Sequence, residues 1–347
     1  MREKTISPGY GKKLLFLWCF LIPISLILAQ VKNTSPLNSS EIKNLSSAKK
    51  SEDIFEIISE TQLETSAECA ISDISDTEID SNDNFIIADG WRSRGVYIFS
   101  DQGKFVRELG RQGQGPGEYL NPVSIDISRN GDIWVADYGG NRINIYSEDF
   151  KFVRSIIGKT RLLHYLNINS RDEIYMYRSS ANPLRPSTAD TIFRYDIEGR
   201  KIASFAPFPK EALEVKFWSV QDGIAIDKDD FIYEINPLYY RIRKFSSQGE
   251  LKTSFSRKTK IFKIIAKEGE RPIIVYGPFV LEKGLVMAHV NKFLEIYDTD
   301  GNFIVGEIPF PQKIICAFKN SLYTEVWDEG DEEEVQPNPK IIRYKLR

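Results

Sequence analysis

Three observations predict an all-β fold, a six-bladed β-propeller of four-stranded antiparallel blades. A unit of strand, polar turn and strand recurs about every fifty residues; it recurs six times; and the last copy is one strand short while an extra β-type segment stands before the first. The copies centre on Phe99, Tyr146, Tyr195, Phe245, Tyr297 and Tyr344, spaced 47, 49, 50, 52 and 47 residues apart. Four of these aromatics lead into a turn with glycine at the fourth place, as in Ser100-Asp101-Gln102-Gly103 and Asp298-Thr299-Asp300-Gly301; the second copy, Ser147-Glu148-Asp149-Phe150, keeps the length without the glycine.

The second unit shows how each blade is built. Ser124 to Ser128, Ile133 to Asp137, Arg142 to Tyr146 and Phe152 to Ile157 are rich in β-branched and aromatic residues, and Asn130-Gly131, Gly139-Gly140 and Glu148-Asp149 punctuate them. The sixth copy ends at Arg347 after its third strand, and Ile54 to Ile58 supplies a β-type segment with no partner of its own. Pairing the two closes the ring with an N-terminal strand in the last blade and removes an exposed edge. The propeller is therefore expected to span 53–347.

The chain begins differently. Arg2, Lys4, Lys12 and Lys13 precede an apolar run from Leu14 to Ala29, too short for a typical spanning helix and followed by a small residue suited to cleavage. Residues 1–29 read as a signal peptide, which places the mature chain outside the cytoplasm, in the periplasm, at the cell surface or secreted. Contact with a membrane is expected only if that segment stays uncleaved. Residues 30–52, dominated by Ser, Asn and Lys, read as a disordered tether. Losing residues 1–29 removes four cations and Glu3 and moves the formal charge from −3 to −6, which disfavours nucleic acid as a partner. Cys69 and Cys316 are too few for a disulfide scaffold; the ring would bring them near one another, and both a bridge and free thiols are open.

The stretch Gly113-Gln114-Gly115-Pro116-Gly117-Glu118-Tyr119-Leu120-Asn121-Pro122, then Gly131-Asp132-Ile133-Trp134-Val135-Ala136-Asp137 and Asn141-Arg142-Ile143, resembles the NHL repeat and is similar to NHL-like six-bladed propellers of bacterial cell envelopes. The first unit matches through Asn84 to Asp89, and the fourth through Ile224 to Asp227 with Arg241-Ile242. The resemblance implies a fold more firmly than an activity, because propellers host many functions. Within such blades Asp89, Asp137, Asn141 and Arg142 read as a structural clamp, the carboxylate accepting from the following loop and forming a bidentate pair with arginine. The Gly-rich run Gly110 to Gly117 leads into a strand, unlike a phosphate loop that opens a helix, and reads as an interblade connection.

Composition and motif point to a non-catalytic binding or scaffold propeller that recognises a protein, peptide or glycan through one rim. Trp91, Tyr138, Tyr239 and Tyr240 fall near turns between strands, with Arg92, Arg94, Arg142 and Arg241 beside them, and Trp, Tyr and Arg supply contact energy at low entropic cost. No cofactor is expected under that reading. The alternative is a Ca2+-dependent hydrolase of the sugar-lactonase type, with the ion held by Glu78, Asp126, Asn167 and Asp227 in the channel. The two histidines, His164 and His289, are too few for the histidine-rich zinc site of the amidating lyase relatives of NHL propellers. The acidic run Asp328 to Glu334 reads as a solvated loop, with a cation or basic partner as its functional alternative.

Overall fold

The computed structural model describes residues 35–158, 165–177, 189–208, 223–236, 240–257, 275–328 and 337–347. From Pro36 onward the chain forms one compact unit. Six sheets of four antiparallel strands follow one another around a ring. Blade 1 contains β2 (Asp76–Ile79), β3 (Phe85–Asp89), β4 (Gly95–Phe99) and β5 (Phe105–Glu108). A short parallel pair, β6 (Arg111–Gln112) and β7 (Glu118–Tyr119), leads to blade 2 with β8 (Pro122–Ile127), β9 (Ile133–Asp137), β10 (Arg142–Tyr146) and β11 (Phe152–Ile157). Blade 3 is built from β12 (Tyr165–Ile168), β13 (Ile174–Tyr177), β14 (Asp190–Tyr195) and β15 (Lys201–Pro207). Blade 4 has β16 (Gly223–Ile226), β17 (Ile232–Asn236), β18 (Arg241–Phe245) and β19 (Leu251–Phe255), and blade 5 has β20 (Val275–Leu281), β21 (Leu285–Val290), β22 (Phe293–Asp298) and β23 (Phe303–Pro309).

Blade 6 takes β24 (Lys313–Phe318), β25 (Ser321–Val326) and β26 (Lys340–Leu346) from the C-terminus, and its outermost strand is β1 (Phe55–Gln62). The register runs from Phe55 opposite Leu346 to Gln62 opposite Lys340. The expected closure is thus present, and both ends of the propeller are tied into one sheet.

Five of the six repeat aromatics stand at or next to the end of their blade's third strand, and Tyr344 lies two residues before the end of β26. In blades 1 to 5 the pairing with the outer strand shifts register beside that residue, between Ile98 and Phe99 in blade 1 and between Ile296 and Tyr297 in blade 5. The bulge turns the outer strand so that its first aromatic meets the repeat aromatic edge-on, as in Phe99 with Phe105 (5.8 Å), Tyr146 with Phe152 (5.8 Å) and Tyr297 with Phe303 (5.7 Å). The turn that follows leans on the preceding blade. At Gly301 φ is +88°, and a Cβ there would lie 2.5 Å from the Phe255 ring, so both the backbone and the close approach require glycine. In the second copy Phe150 adopts the same left-handed conformation at φ +63° and packs its half-buried ring against the core between blades 1 and 2.

The disordered tether expected over 30–52 is corrected from Pro36 onward. Helix α1 (Ser39–Ser46) opens with a capping box: Asn38 Oδ1 accepts from Ser40 and Glu41 N–H groups at 3.0 Å, and Glu41 Oε2 accepts from Asn38 N–H at 2.8 Å. Leu45 and Ala48 are buried in one cluster with Leu285, Ile304 and Phe310, and Lys283 Nζ meets Glu41 Oε1 at 3.0 Å. Composition alone misses this because the segment has few apolar residues, yet Leu37, Ile42, Leu45 and Ala48 join a cluster whose remaining members come from blades 5 and 6. Among the described residues no helix is long and apolar enough to cross a membrane.

Candidate functional site at the channel and its upper rim

Because strands alternate in direction, the turns between second and third strands and the interblade connections share one face, here called upper. The turns between first and second and between third and fourth strands share the lower face. The first strands β2, β8, β12, β16, β20 and β24 surround the channel.

An innermost strand has an unpaired edge, and its N–H groups need partners. Neighbouring blades supply them. Asp76 Oδ2 in blade 1 accepts from Ser124 Oγ–H (2.7 Å) and Ile125 N–H (2.9 Å) in blade 2. Ser124 Oγ accepts from Leu166 N–H (3.1 Å), and Asp126 Oδ2 from Ile168 N–H (2.5 Å), both in blade 3. These side chains sew the first three blades together along the channel wall. Glu78 lies between the two aspartates in the same cavity of about 270 Å³, beside Asn167 and Cys316.

Burial pushes Asp76 up to about 6 and Asp126 up to about 7. Glu78 is pushed well above the ordinary carboxylate range, first by burial and then by the charges of Asp126 and Asp76. A carboxyl whose folded pKa is raised favours the folded state at low pH, and that contribution is lost as pH rises through the folded value. Glu41, Glu118 and Asp196 shift downward and titrate below that window, while His289, lowered by burial, works against the three carboxyls by adding stability as pH rises. Stability is therefore expected to fall between pH 5 and pH 8, and Glu78→Gln to raise the melting temperature at pH 8 by about 5 °C while flattening the slope. Thermal melts of both proteins across that range check it; a wild-type melting temperature that rises from pH 5 to 8 contradicts it.

The four residues of the lactonase-type reading are not brought together. Glu78, Asp126 and Asn167 share the channel cavity, but Asp227 turns away into its own lower-face turn. There its Oδ1 accepts from Asp229 and Phe231 N–H groups, and its Oδ2 from the Tyr233 hydroxyl at 3.0 Å. Among the described residues no group of three His, Cys, Asp or Glu is placed to hold a metal ion. His164, Tyr239 and residues 329–334 of the acidic run lie outside the described residues. Cys69 and Cys316 are buried free thiols in one apolar cluster.

The upper rim separates the expected binding residues into two groups. Asp89, fully buried, accepts from Ser72, Asp73, Arg92 and Ser93 N–H groups, which fixes the turn that carries Trp91, Arg92 and Arg94 outward. Trp91 is 53% exposed, and both arginines are exposed with it. This turn rests on Asn121-Pro122: a Cβ at Gly90 would lie 2.2 Å from the Pro122 carbonyl oxygen. From the other side the half-buried Tyr138 donates its N–H to the Asn121 carbonyl at 2.9 Å. Trp91 and Tyr138 thus flank one backbone segment. Arg241 is exposed on the equivalent edge of blade 4.

Arg142 and Tyr240 do not belong to that surface. The Arg142 side chain is only 8% exposed: Nε donates to Asp137 Oδ2 at 3.2 Å, while its terminal nitrogens donate to the carbonyls of Gly113, Gln114, Gly115 and Glu118. Asp137 also accepts from Leu120 and Asn121 N–H groups. The clamp is not the bidentate pair expected from sequence, since the guanidinium gives one donor to the carboxylate and spends the others on the Gly-rich connection. Asn141 completes the hairpin through its Nδ2–H to the Gly158 carbonyl at 2.9 Å. Tyr240 is buried, with its hydroxyl 3.0 Å from that of Tyr297. Sequence reading passed over Asp76, Tyr276 and Lys313. All three lie at or near the starts of first strands, a position that the repeat itself marks as channel-facing.

Fold and site together define a six-bladed propeller with an internally sewn channel and one aromatic, basic rim. The chain belongs to the DUF4934 family, described as a domain of unknown function, whose model matches residues 33–271. No curated protein matches it. Among solved structures it is similar to a protein of Bacteroides fragilis NCTC 9343 whose name classes it as exported, at 13% identity and TM-score 0.62, covering 87% of this chain and 97% of that one. It is also similar to a DUF4221 family member from Bacteroides vulgatus, at 9% identity and TM-score 0.61, covering 85% and 99%. At these identities the likeness is one of fold.

Proposed function

We propose that this chain is an exported, non-catalytic binding propeller of NHL-like kind at the cell envelope, which recognises a protein, peptide or glycan partner through its upper rim. The single observation that carries the reading is the Trp91 turn: a large exposed indole flanked by two exposed arginines, held outward by a buried aspartate. Exposed Trp and Arg on a rigid support are what binding surfaces concentrate. Export rests on the basic and apolar N-terminal pattern and agrees with the name of the B. fragilis neighbour. The NHL-like character rests on the motifs of blades 1, 2 and 4.

Two anionic probes test the rim, immobilised polygalacturonate for an acidic glycan and poly-glutamate for an acidic peptide. The wild-type chain is expected to be retained on at least one of them in a salt-sensitive way, and the Trp91→Ala/Arg92→Ala/Arg94→Ala variant to lose retention by about tenfold or more. Equal behaviour of the two proteins overturns the assignment of the rim.

A further inference from the structure

The channel is polar in opposite senses at two depths. At its upper mouth a pocket of about 150 Å³ is lined by Tyr276, Lys313 and Asp76, with apolar walls from Ile224, Phe279 and Ile315. The deeper cavity of about 270 Å³ shares Asp76 and those three apolar residues, and adds Glu78. The two spaces are therefore stages of one funnel, with the Lys313 and Tyr276 donors above, Asp76 at the junction with its oxygens taken by Thr77, Ser124 and Ile125, and the Glu78 carboxylate below.

The upper pole is firmly mounted. The Lys313 ammonium meets Glu325 Oε1 at 2.7 Å and the Ile74 carbonyl at 3.4 Å, which leaves one of its donors uncommitted. Tyr276 stacks on His289, with ring centroids 5.6 Å apart and planes 25° apart, and among the described residues its hydroxyl has no hydrogen-bond partner. Behind these two stand polar groups that the fold does not use. Among the described residues Glu325, 8% exposed, keeps Oε2 buried without a partner, and His289, 1% exposed, keeps Nδ1 so while Nε2 pairs with the Phe310 carbonyl.

The lower pole differs from its neighbours in one respect. Asp76 and Asp126 spend their oxygens on the N–H groups of adjacent strands, whereas the Glu78 carboxylate accepts from no side chain or neighbouring strand among the described residues. In the same cavity Asn167 Oδ1 is closed off from solvent and has no partner among them. Glu78 lies two residues beyond Asp76 on β2, about 7 Å further along the strand.

From this bipolar funnel we infer that the channel binds a small zwitterion, a di- or tripeptide with free termini, with its carboxylate at Lys313 and Tyr276, its ammonium at Glu78 and its side chains against Ile224, Phe279 and Ile315. The two strand positions between the depth of Asp76 and that of Glu78, about 7 Å, favour a di- or tripeptide over a single amino acid. Ile224, Phe279 and Ile315 line both spaces, so the body of a peptide meets apolar side chains on its way from one pole to the other. The site lies inside the ring and is separate from the Trp91 rim.

Calorimetric titration of the purified chain with the dipeptide Ala-Leu and the tripeptide Ala-Leu-Ala, each also in N-acetylated and C-amidated form, tests the inference. The free peptides are expected to bind, and blocking either terminus to weaken binding by about tenfold. Glu78→Gln should remove discrimination against the acetylated forms only. Lys313→Met should remove discrimination against the amidated forms only, and Tyr276→Phe, which keeps the ring and its stacking, should do the same if the lysine variant does not fold. Absence of saturable binding at millimolar peptide, or affinities indifferent to capping and to all three substitutions, overturns the proposal. The Trp91→Ala/Arg92→Ala/Arg94→Ala variant should bind Ala-Leu as wild type does, so loss of rim binding alone counts only against the rim.

Discussion

Removing residues 53–60 is expected to lower the melting temperature by about 10 °C or more. The segment carries Ile54 and Phe55, exposed to 0% and 2%, into the core of blade 6. Phe55 meets Phe310 edge-on at 6.3 Å, and the Ile54 carbonyl accepts from Arg347 N–H at 3.0 Å. Without Phe55 to Glu60, the edge of β26 opens from Leu346 to Ile342 and only Thr61 and Gln62 remain to pair with it. Deletion also moves α1 relative to blade 5, so a point substitution separates the effects: Phe55→Ala alone should cost about 3–5 kcal/mol. Melting followed by circular dichroism checks both proteins. An unchanged melting temperature in the deletion refutes the shared sixth blade.

The second large effect is expected at Arg142. Its guanidinium satisfies the buried Asp137 and four carbonyls of the connection between blades 1 and 2, and a methionine of similar length supplies none of those donors. Asp137, fully buried, then keeps only the Leu120 and Asn121 N–H groups, and the loss should be about 3–5 kcal/mol. Arg142→Lys should recover only part of it, because an ammonium cannot serve the carboxylate and the loop carbonyls with one fork. Urea denaturation of the three proteins measures the difference; a loss below about 1 kcal/mol would show that the clamp is dispensable.

Much of the fold was legible because the signals were local and repeated. The strand limits of Ile133 to Asp137, Arg142 to Tyr146 and Phe152 to Ile157 follow from residue type and turn chemistry alone, and the structure places strands there. Closure was legible by counting, since a missing outer strand and an orphan segment imply each other. Helix α1 was not, because its stability comes from Leu45 and Ala48 docking on a blade some 240 residues away in sequence. The site was legible only where a turn fixes direction. Asp89 makes Trp91 point outward, and the Asp89 and Trp91 spacing shows it; nothing near Arg142 shows that its side chain folds inward over a glycine-rich loop. Channel residues such as Asp76 and Lys313 come together only when the ring closes, from blades 1 and 6 at opposite ends of the propeller sequence.

The proposed recognition surface is the upper face, and the lower vestibule, lined in part by Arg129, Lys228 and Lys319, is not part of it. One measurement separates the two faces: retention on polygalacturonate and poly-glutamate of the wild-type chain, the Trp91→Ala/Arg92→Ala/Arg94→Ala variant, and an Arg129→Ala/Lys228→Ala/Lys319→Ala variant with the same loss of positive charge or more. Only the upper-face variant is expected to lose retention. Loss confined to the lower-face variant, or equal loss in both, would contradict it.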